Sequence, residues 1–289
     1  MSTLKISTWI SDISIWNPSS AEWKTTLDLF PDDIKRKIQG YHRLIDAKRS
    51  IVGMILAQSI VCSTYSLPWQ TVKFSKTSNG RPYLVNPLPP GNRFDFNISH
   101  DGNVVVCCFC TETGQSNDQL GQTKVGVDVM EHRLPDHEPT LEGFSSLLAE
   151  YLTSQEQVLI EQRKKASEEA VLNGLLQFWT LKESIIKALG LGLRMELQSI
   201  NINCLVSNPY LDNLVSLPPQ PQLRFAIDGQ EDRSWTLWSA VWKLPDQKLR
   251  CRYMISAAIK IANSTFLPTP LIHNIEFKTV PELIHPYIL

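Results

Sequence analysis

Phe94-Asp95-Phe96-Asn97-Ile98-Ser99-His100-Asp101-Gly102-Asn103-Val104-Val105-Val106-Cys107-Cys108-Phe109-Cys110 is the stretch that decides how this chain folds. Phe94, Phe96 and Ile98 alternate with Asp95, Asn97 and Ser99, the period of a half-buried strand. His100-Asp101-Gly102-Asn103 supplies turn chemistry, and residues 104–110 read as a second, fully buried strand, so the segment is a β-hairpin. The nominal C-x-x-C at 107–110 lies inside that second strand. A strand sends Cys107 and Cys110 to opposite faces, and no second Cys/His pair has ligand spacing nearby. These cysteines, with Cys62, Cys204 and Cys251, read as core residues rather than as a zinc or redox site.

Toward the N-terminus, residues 1–17 alternate enough to form a first strand, and Phe30-Pro31-Asp32-Asp33 opens a helix expected to run to about Tyr65. Residues 72–75 and 82–85 read as short strands around Ser78-Asn79-Gly80-Arg81. Toward the C-terminus, the polar run 111–123 marks a boundary near residue 122. Val125-Gly126-Val127-Asp128-Val129 follows as a strand. Helices are expected at 141–151, 154–165 and 170–189, the second opened by a capping box at Ser154 and Gln157, the third stopped by Gly190 and Gly192. Strands are expected at 200–205, 222–227, 235–241 and 253–259, and a Pro-punctuated irregular tail from about Asn263. No repeat of about 20–50 residues is visible. The fold class is α+β, with halves at 1–122 and 123–262 and a tail at 263–289.

Across 289 residues, 28 Lys+Arg oppose 29 Asp+Glu for a net charge of −1, and 43% of residues are apolar. That composition describes an ordinary globular protein with enough chain for a real core. It argues against a general nucleic-acid surface, which needs many phosphate contacts. The longest apolar stretches, 51–62 and 104–110, are too short to span a membrane. The N-terminal residues lack the pattern of a secretory signal, so the expected location is cytoplasmic.

Four features carry possible chemistry, each with a plainer reading beside it. Asp128 stands alone on the face of its strand opposite the valines; it is either a solvated position or a carboxylate that Gly126 leaves open to a ligand. In Phe178-Trp179-Thr180-Leu181-Lys182-Glu183-Ser184-Ile185-Ile186-Lys187, a core stripe of Phe178, Leu181, Ile185, Ala188 and Leu189 leaves Glu183 and Lys187 on the other side. They form either an exposed i,i+4 pair or a metal–phosphate site with flanking lysines. Asn97-Ile98-Ser99-His100 at the hairpin tip either cradles a phosphate or caps a turn. Lys35, Arg36, Lys37, Arg43, Lys48 and Arg49 make a basic run opposed within it by Asp46, either a solvated helix face or a patch for polyphosphate or an acidic protein.

Taken together these residues resemble one family. Val125-Gly-Val-Asp-Val, followed some fifty residues later by Phe178-Trp-Thr-Leu-Lys-Glu-Ser-Ile-Ile-Lys, is similar to the paired signature G-[IV]-D and W-x-x-K-E-[AS]-x-x-K of the larger, monomeric 4'-phosphopantetheinyl transferases. Asn97-Ile-Ser-His, Asn79-Gly-Arg-Pro and Asp46-Ala-Lys-Arg fit the same pattern.

The resemblance implies two similar α+β halves in a pseudo-dimeric monomer, with coenzyme A bound between them. It implies Mg²⁺ held by Asp128 and Glu183. Lys182 and Lys187 would sit on phosphate oxygens and act in catalysis together with Glu183. Asn97, Ser99 and His100 would bind nucleotide phosphates, and Lys37, Arg49, Lys76, Gly80 and Arg81 would line the adenine and 3'-phosphate end. Arg36 is an alternative to Lys37.

Many relatives carry a second acid two residues after the aspartate, where this chain has Met130; a water or Asp101 would complete the metal shell. Glu131 would point away from Asp128. The implied reaction moves 4'-phosphopantetheine from coenzyme A to a serine of an apo carrier protein, with Glu183 as base directly or through a water. Alternative readings are a non-catalytic module that binds a nucleotide or an acidic protein, and another coenzyme A-dependent transferase. Neither nucleic acid nor a membrane is an expected partner.

Overall fold

The hairpin at the centre of the chain forms as its alternation requires, and the other elements are arranged around it. The computed structural model describes residues 3–113, 123–206, 216–217, 220, 223–244, 251–261 and 273–288. Before the polar run come β1 (Thr3–Asp12), α1 (Ser20–Asp28), α2 (Asp32–Gln39), α3 (Leu44–Tyr65), β2 (Phe74–Lys76), β3 (Pro82–Leu84), β4 (Arg93–Asp101) and β5 (Val104–Thr113). After it come β6 (Lys124–Glu131), α4 (Leu141–Ala149), α5 (Ser154–Lys164), α6 (Glu168–Leu189), β7 (Ile200–Ile202), β8 (Ser216–Leu217), β9 (Phe225–Ile227), β10 (Gln230–Glu231), β11 (Trp235–Lys243), β12 (Arg252–Lys260), β13 (His273–Phe277) and α7 (Val280–Ile288). Most of the polar run, at 114–122, and residues 263–272 and 289 of the expected tail lie outside the described residues.

β4 and β5 pair antiparallel, with Ser99 opposite Val106. At the tip Gly102 has φ +50°, and a Cβ there would lie 2.5 Å from Tyr253 Oη, so the turn admits glycine on both counts. The faces of β5 divide its cysteines: Cys107 joins Val105 and Phe109 against α3, whereas Cys108 and Cys110 join Val104 and Val106 on the other side. All three are buried thiols, and burial holds each above the ordinary thiol range.

The two halves repeat one plan. β4-β5-β1 packs on the 22-residue α3, and β11-β12-β6 packs on the 22-residue α6. A third core, including Ile6, Ile10, Val125, Val127, Trp238 and Ile255, lies between the two sheets. The layers therefore run helix, sheet, sheet, helix, an α+β architecture.

β4 and β6 are edge strands, and they meet without a backbone ladder. Asp95, Asn97 and Asp101 accept instead from the backbone N–H groups of Val125, Val127 and Glu131, at 2.8, 3.0 and 2.7 Å. Side-chain oxygens at alternate positions of one strand thus satisfy alternate donors of the other. Both edges are covered in this way.

Several expectations are corrected. The helix expected from Phe30 to Tyr65 is two helices, because Gly40 caps α2, with its N–H bonded to Arg36 O, and the chain re-enters helix at Leu44. α1, capped by a Ser19–Glu22 box, was not foreseen. The capping box of α5 is Thr153 with Glu156, one residue earlier than read. The irregular tail contains β13, which pairs in parallel with β1, and α7, which packs on the α3 side of that sheet. The first half is thus completed by β13 and α7, which follow the second half in sequence.

Candidate active site

α6 lies so close to β6 that a Cβ on Gly126 would sit 1.9 Å from Ser184 O and 2.5 Å from Ala188 N. Gly126 is therefore explained by helix packing, which corrects the expectation that it opens Asp128 to a ligand. The approach brings Lys187 onto Asp128: Nζ lies 2.5 Å from Oδ1. Ser99 Oγ donates to the same Oδ1 at 2.8 Å, and Lys187 Nζ donates to Ser99 Oγ at 3.0 Å. One residue from each of β4, β6 and α6 thus forms a closed triangle. Asp128 Oδ2 has no hydrogen-bond partner among the described residues.

Glu183, one turn before Lys187, has neither a hydrogen bond nor an ion pair among the described residues. Its carboxyl is pushed up, first by burial and then by the Asp128 charge, with Lys187 opposing. Around it opens a cleft of about 700 Å³ between the halves, lined by Gly80, Arg81 and Asn97 on one side, by Glu183 and Lys187, and by Tyr151 opposite. Met195, Glu196, Leu197 and Gln198 continue the far wall. No motif pointed to that wall; the stop at Gly190 and Gly192 was the only cue that the chain turns there.

The structure thus gathers Gly80, Arg81, Asn97, Glu183 and Lys187 in one cleft and attaches Ser99 and Asp128 to it through Lys187. His100 lies beyond, at the hairpin tip; its pKa is lowered by the protein mass around the ring and then by the Arg49 and Lys187 charges.

Other expected ligands are already engaged. The Arg81 guanidinium makes a bidentate pair with Asp95 at 2.8 and 2.6 Å and donates to Val125 O and Lys187 O at 2.9 and 3.0 Å. It clasps the two halves rather than offering a free fork to phosphate. Arg49 holds Gly102 O at 2.9 and 2.7 Å and Asp46 at 3.0 Å, anchoring the hairpin tip.

Lys182 faces inward onto Glu156 at 2.7 Å, away from the cleft, which corrects its expected place on phosphate. Burial lowers its pKa, and Glu156 opposes the shift. Asp101 Oδ2 accepts from Glu131 N, Glu131 pairs with Arg133 at 2.9 Å, and neither carboxylate is in the cleft lining. Lys37 and Lys76 are exposed and outside the cleft lining. The basic run is smaller than it read: Lys35 pairs with Asp28, and Lys48 is buried on Trp16 O, leaving Arg36, Lys37 and Arg43 exposed.

A family model described as 4'-phosphopantetheinyl transferase, N-terminal, matches residues 14–112, and one described as 4'-phosphopantetheinyl transferase superfamily matches 124–240. The chain belongs to the 4'-phosphopantetheinyl transferase superfamily. Among its relatives, the L-aminoadipate-semialdehyde dehydrogenase-phosphopantetheinyl transferase of Homo sapiens is 28% identical over 231 residues, covering 78% of this chain and 68% of that protein. The protein of that name from Rattus norvegicus is 27% identical over 228 residues, with the same shares. The 4'-phosphopantetheinyl transferase pptA of Paxillus involutus is 28% identical over 220 residues, covering 74% of this chain and 73% of its own. The two family matches fall on either side of the β4–β6 seam, so the transferase cleft is built from both.

Proposed function

We propose that this transferase moves the 4'-phosphopantetheine arm of coenzyme A to a serine hydroxyl of an apo carrier protein, releasing adenosine 3',5'-bisphosphate. The observation that carries the reading is the Lys187–Asp128–Ser99 triangle beside an unpartnered, half-buried Glu183, set in a cleft between the two matched halves. A Ser–O–P bond forms as the P–O bond to the adenosine bisphosphate breaks. Such transfer needs positioning and charge stabilisation more than covalent help.

The site suits Mg²⁺. Among the described residues neither Asp128 Oδ2 nor the Glu183 carboxylate has a protein donor, and the Asp128 charge helps to raise the Glu183 pKa. Among the described residues no group of three or more His, Cys, Asp or Glu side chains could hold a metal. Two carboxylates are enough, because Mg²⁺ takes its remaining ligands from phosphate and water. When bound, Mg²⁺ would polarise the pyrophosphate.

Lys187 is part-exposed and lines the cleft, where its ammonium would offset the charge of phosphate oxygens. Glu183, whose pKa burial raises above the ordinary carboxylate value, is the proton acceptor for the serine, directly or through one water. His100, kept neutral at physiological pH, donates or accepts a hydrogen bond without adding charge. Neither Arg49 nor Arg81 is required to contact phosphate: Arg49 anchors the hairpin tip, and Arg81 clasps the two halves beside the cleft. We place the protein in the cytoplasm as a monomer, since both halves of the cleft come from one chain. No helix among the described residues is long and apolar enough to cross a membrane.

The test incubates the purified protein with coenzyme A, Mg²⁺ and several apo carrier proteins and weighs the carriers. A mass gain of one phosphopantetheine is expected; folded protein that modifies none of them overturns the proposal.

A second expectation concerns pH. Because folding raises the Glu183 pKa, its contribution to stability is fully present below the ordinary carboxylate range and is lost as pH rises through the raised value. In chelator at pH 7 and above, Glu183→Gln is expected to unfold at a higher temperature than the native protein. At pH 4 the two should coincide. Thermal melts across pH check this, and a lower melting temperature for the variant at pH 7 would contradict it.

A further inference from the structure

The lysine that precedes Glu183 points behind the cleft wall rather than into the cleft. Lys182 is 1% exposed and Glu156 0%. Lys182 Nζ lies 2.7 Å from Glu156 Oε2 and donates at 2.9 Å to both Tyr151 O and Leu197 O, so its three protons each have an acceptor. Glu156 is equally satisfied, accepting from Thr153 N at 2.8 Å and Ile202 N at 2.7 Å.

The two carbonyls belong to the far wall of the cleft. Glu150 and Tyr151 follow α4, while Met195 and Glu196 lead into a single 3-10 turn, Leu197–Ser199, just before β7; no β-ladder joins the two segments. One other tie joins them, from Gln198 Nε2 to Glu150 O at 2.7 Å. An ammonium gripping backbone oxygens fixes the course of the chain itself. Its position thereby sets how far the wall stands from Gly80 and Asn97.

We propose that Lys182 is a positioning residue: paired with Glu156, it is a buried strut that holds the Tyr151 and Leu197 segments at the spacing in which coenzyme A binds, and it makes no contact with phosphate. The identity of the ligand rests on the transferase reading; the strut itself does not. A phosphate-binding lysine and a strut differ in one respect that is easily measured. Only the strut needs Glu156.

The experiment uses the full chain with Lys182→Met, Glu156→Gln and both together, following amide hydrogen exchange, coenzyme A binding by calorimetry in Mg²⁺, and kcat and KM for coenzyme A. Exchange at residues 150–153 and 195–199 should accelerate in each single variant. KM should rise about tenfold to a hundredfold while kcat at saturation stays within about threefold, the pattern of a displaced wall. The double variant should be no worse than the worse single one, because the residues act as a unit. It leaves no lone buried charge, so it carries the test should a single variant not fold.

A rise in KM in Lys182→Met with exchange unchanged, and with Glu156→Gln matching the native protein, would assign Lys182 to phosphate and overturn the strut. So would unaltered exchange and KM in the double variant. Native protein that binds no coenzyme A would refute the transferase reading, while the exchange data would still judge the strut.

Discussion

Asp128→Asn is expected to cut transfer by at least about a hundredfold, the scale of losing one preorganised charge at a reacting phosphate. Asparagine keeps the volume and still accepts from Ser99 through its amide oxygen, so the triangle retains its shape. It loses the charge that holds Lys187 and the anionic oxygen that Mg²⁺ would require. Stability should fall modestly, because Asp128 is 8% exposed but the Lys187 left without its partner is 28% exposed and can turn to solvent. Carrier mass gain over time, with circular dichroism as control, measures both. A folded variant within threefold of native activity would remove Asp128 from the metal and from the reaction.

Gly126→Ala is the second large effect, and it acts through packing. Overfilling a core commonly costs about 1–3 kcal/mol, because neighbours can rotate aside. Two of the three atoms nearest the added Cβ are backbone, Ser184 O and Ala188 N, and neither can rotate away. We expect a loss at the upper end of that range or beyond. α6 would have to lift off β6, taking Glu183 and Lys187 with it, and a shift of about 1 Å at reacting groups costs on the order of a hundredfold in rate. Urea unfolding and transfer assays on the same preparation should move together. Normal stability and rate would show that β6 and α6 yield more easily than their contact suggests.

The parts of the fold that were legible are those in which one local pattern decides the structure. The alternation in β4, the turn residues after it and the apolar run of β5 together marked the hairpin, and the two-residue period of any strand separated Cys107 from Cys110. The stripe on α6 likewise placed Phe178, Leu181, Ile185 and Ala188 in the core. Glu183 and Lys187 were legible as neighbours for the same reason.

What was missed depends on partners distant in sequence. Lys182 reads like any lysine beside a glutamate until Glu156 supplies its charge and Tyr151 and Leu197 their carbonyls. Arg81 looks like a phosphate ligand at a tight turn, and only the fold places Asp95 under its guanidinium. The far wall of the cleft has no periodicity to read. β13 is too short for alternation to stand out, and α7 carries Pro286 near its end, which argues against a helix locally. Their existence follows from the open edge of β1 and the apolar face of α3.

That closing strand carries a consequence for how the protein is made. β1 is paired on one side with β5 and on the other with β13, which is synthesised more than 250 residues later. Domains usually fold as units during synthesis, N-terminal first. Here the sheet of the first half waits for β13, with the helices and strands of the second half made in between. The unit of inheritance seen in the two family matches and the unit that folds are therefore different segments of the same chain. A stop codon just before residue 273 would injure the half that had already been translated.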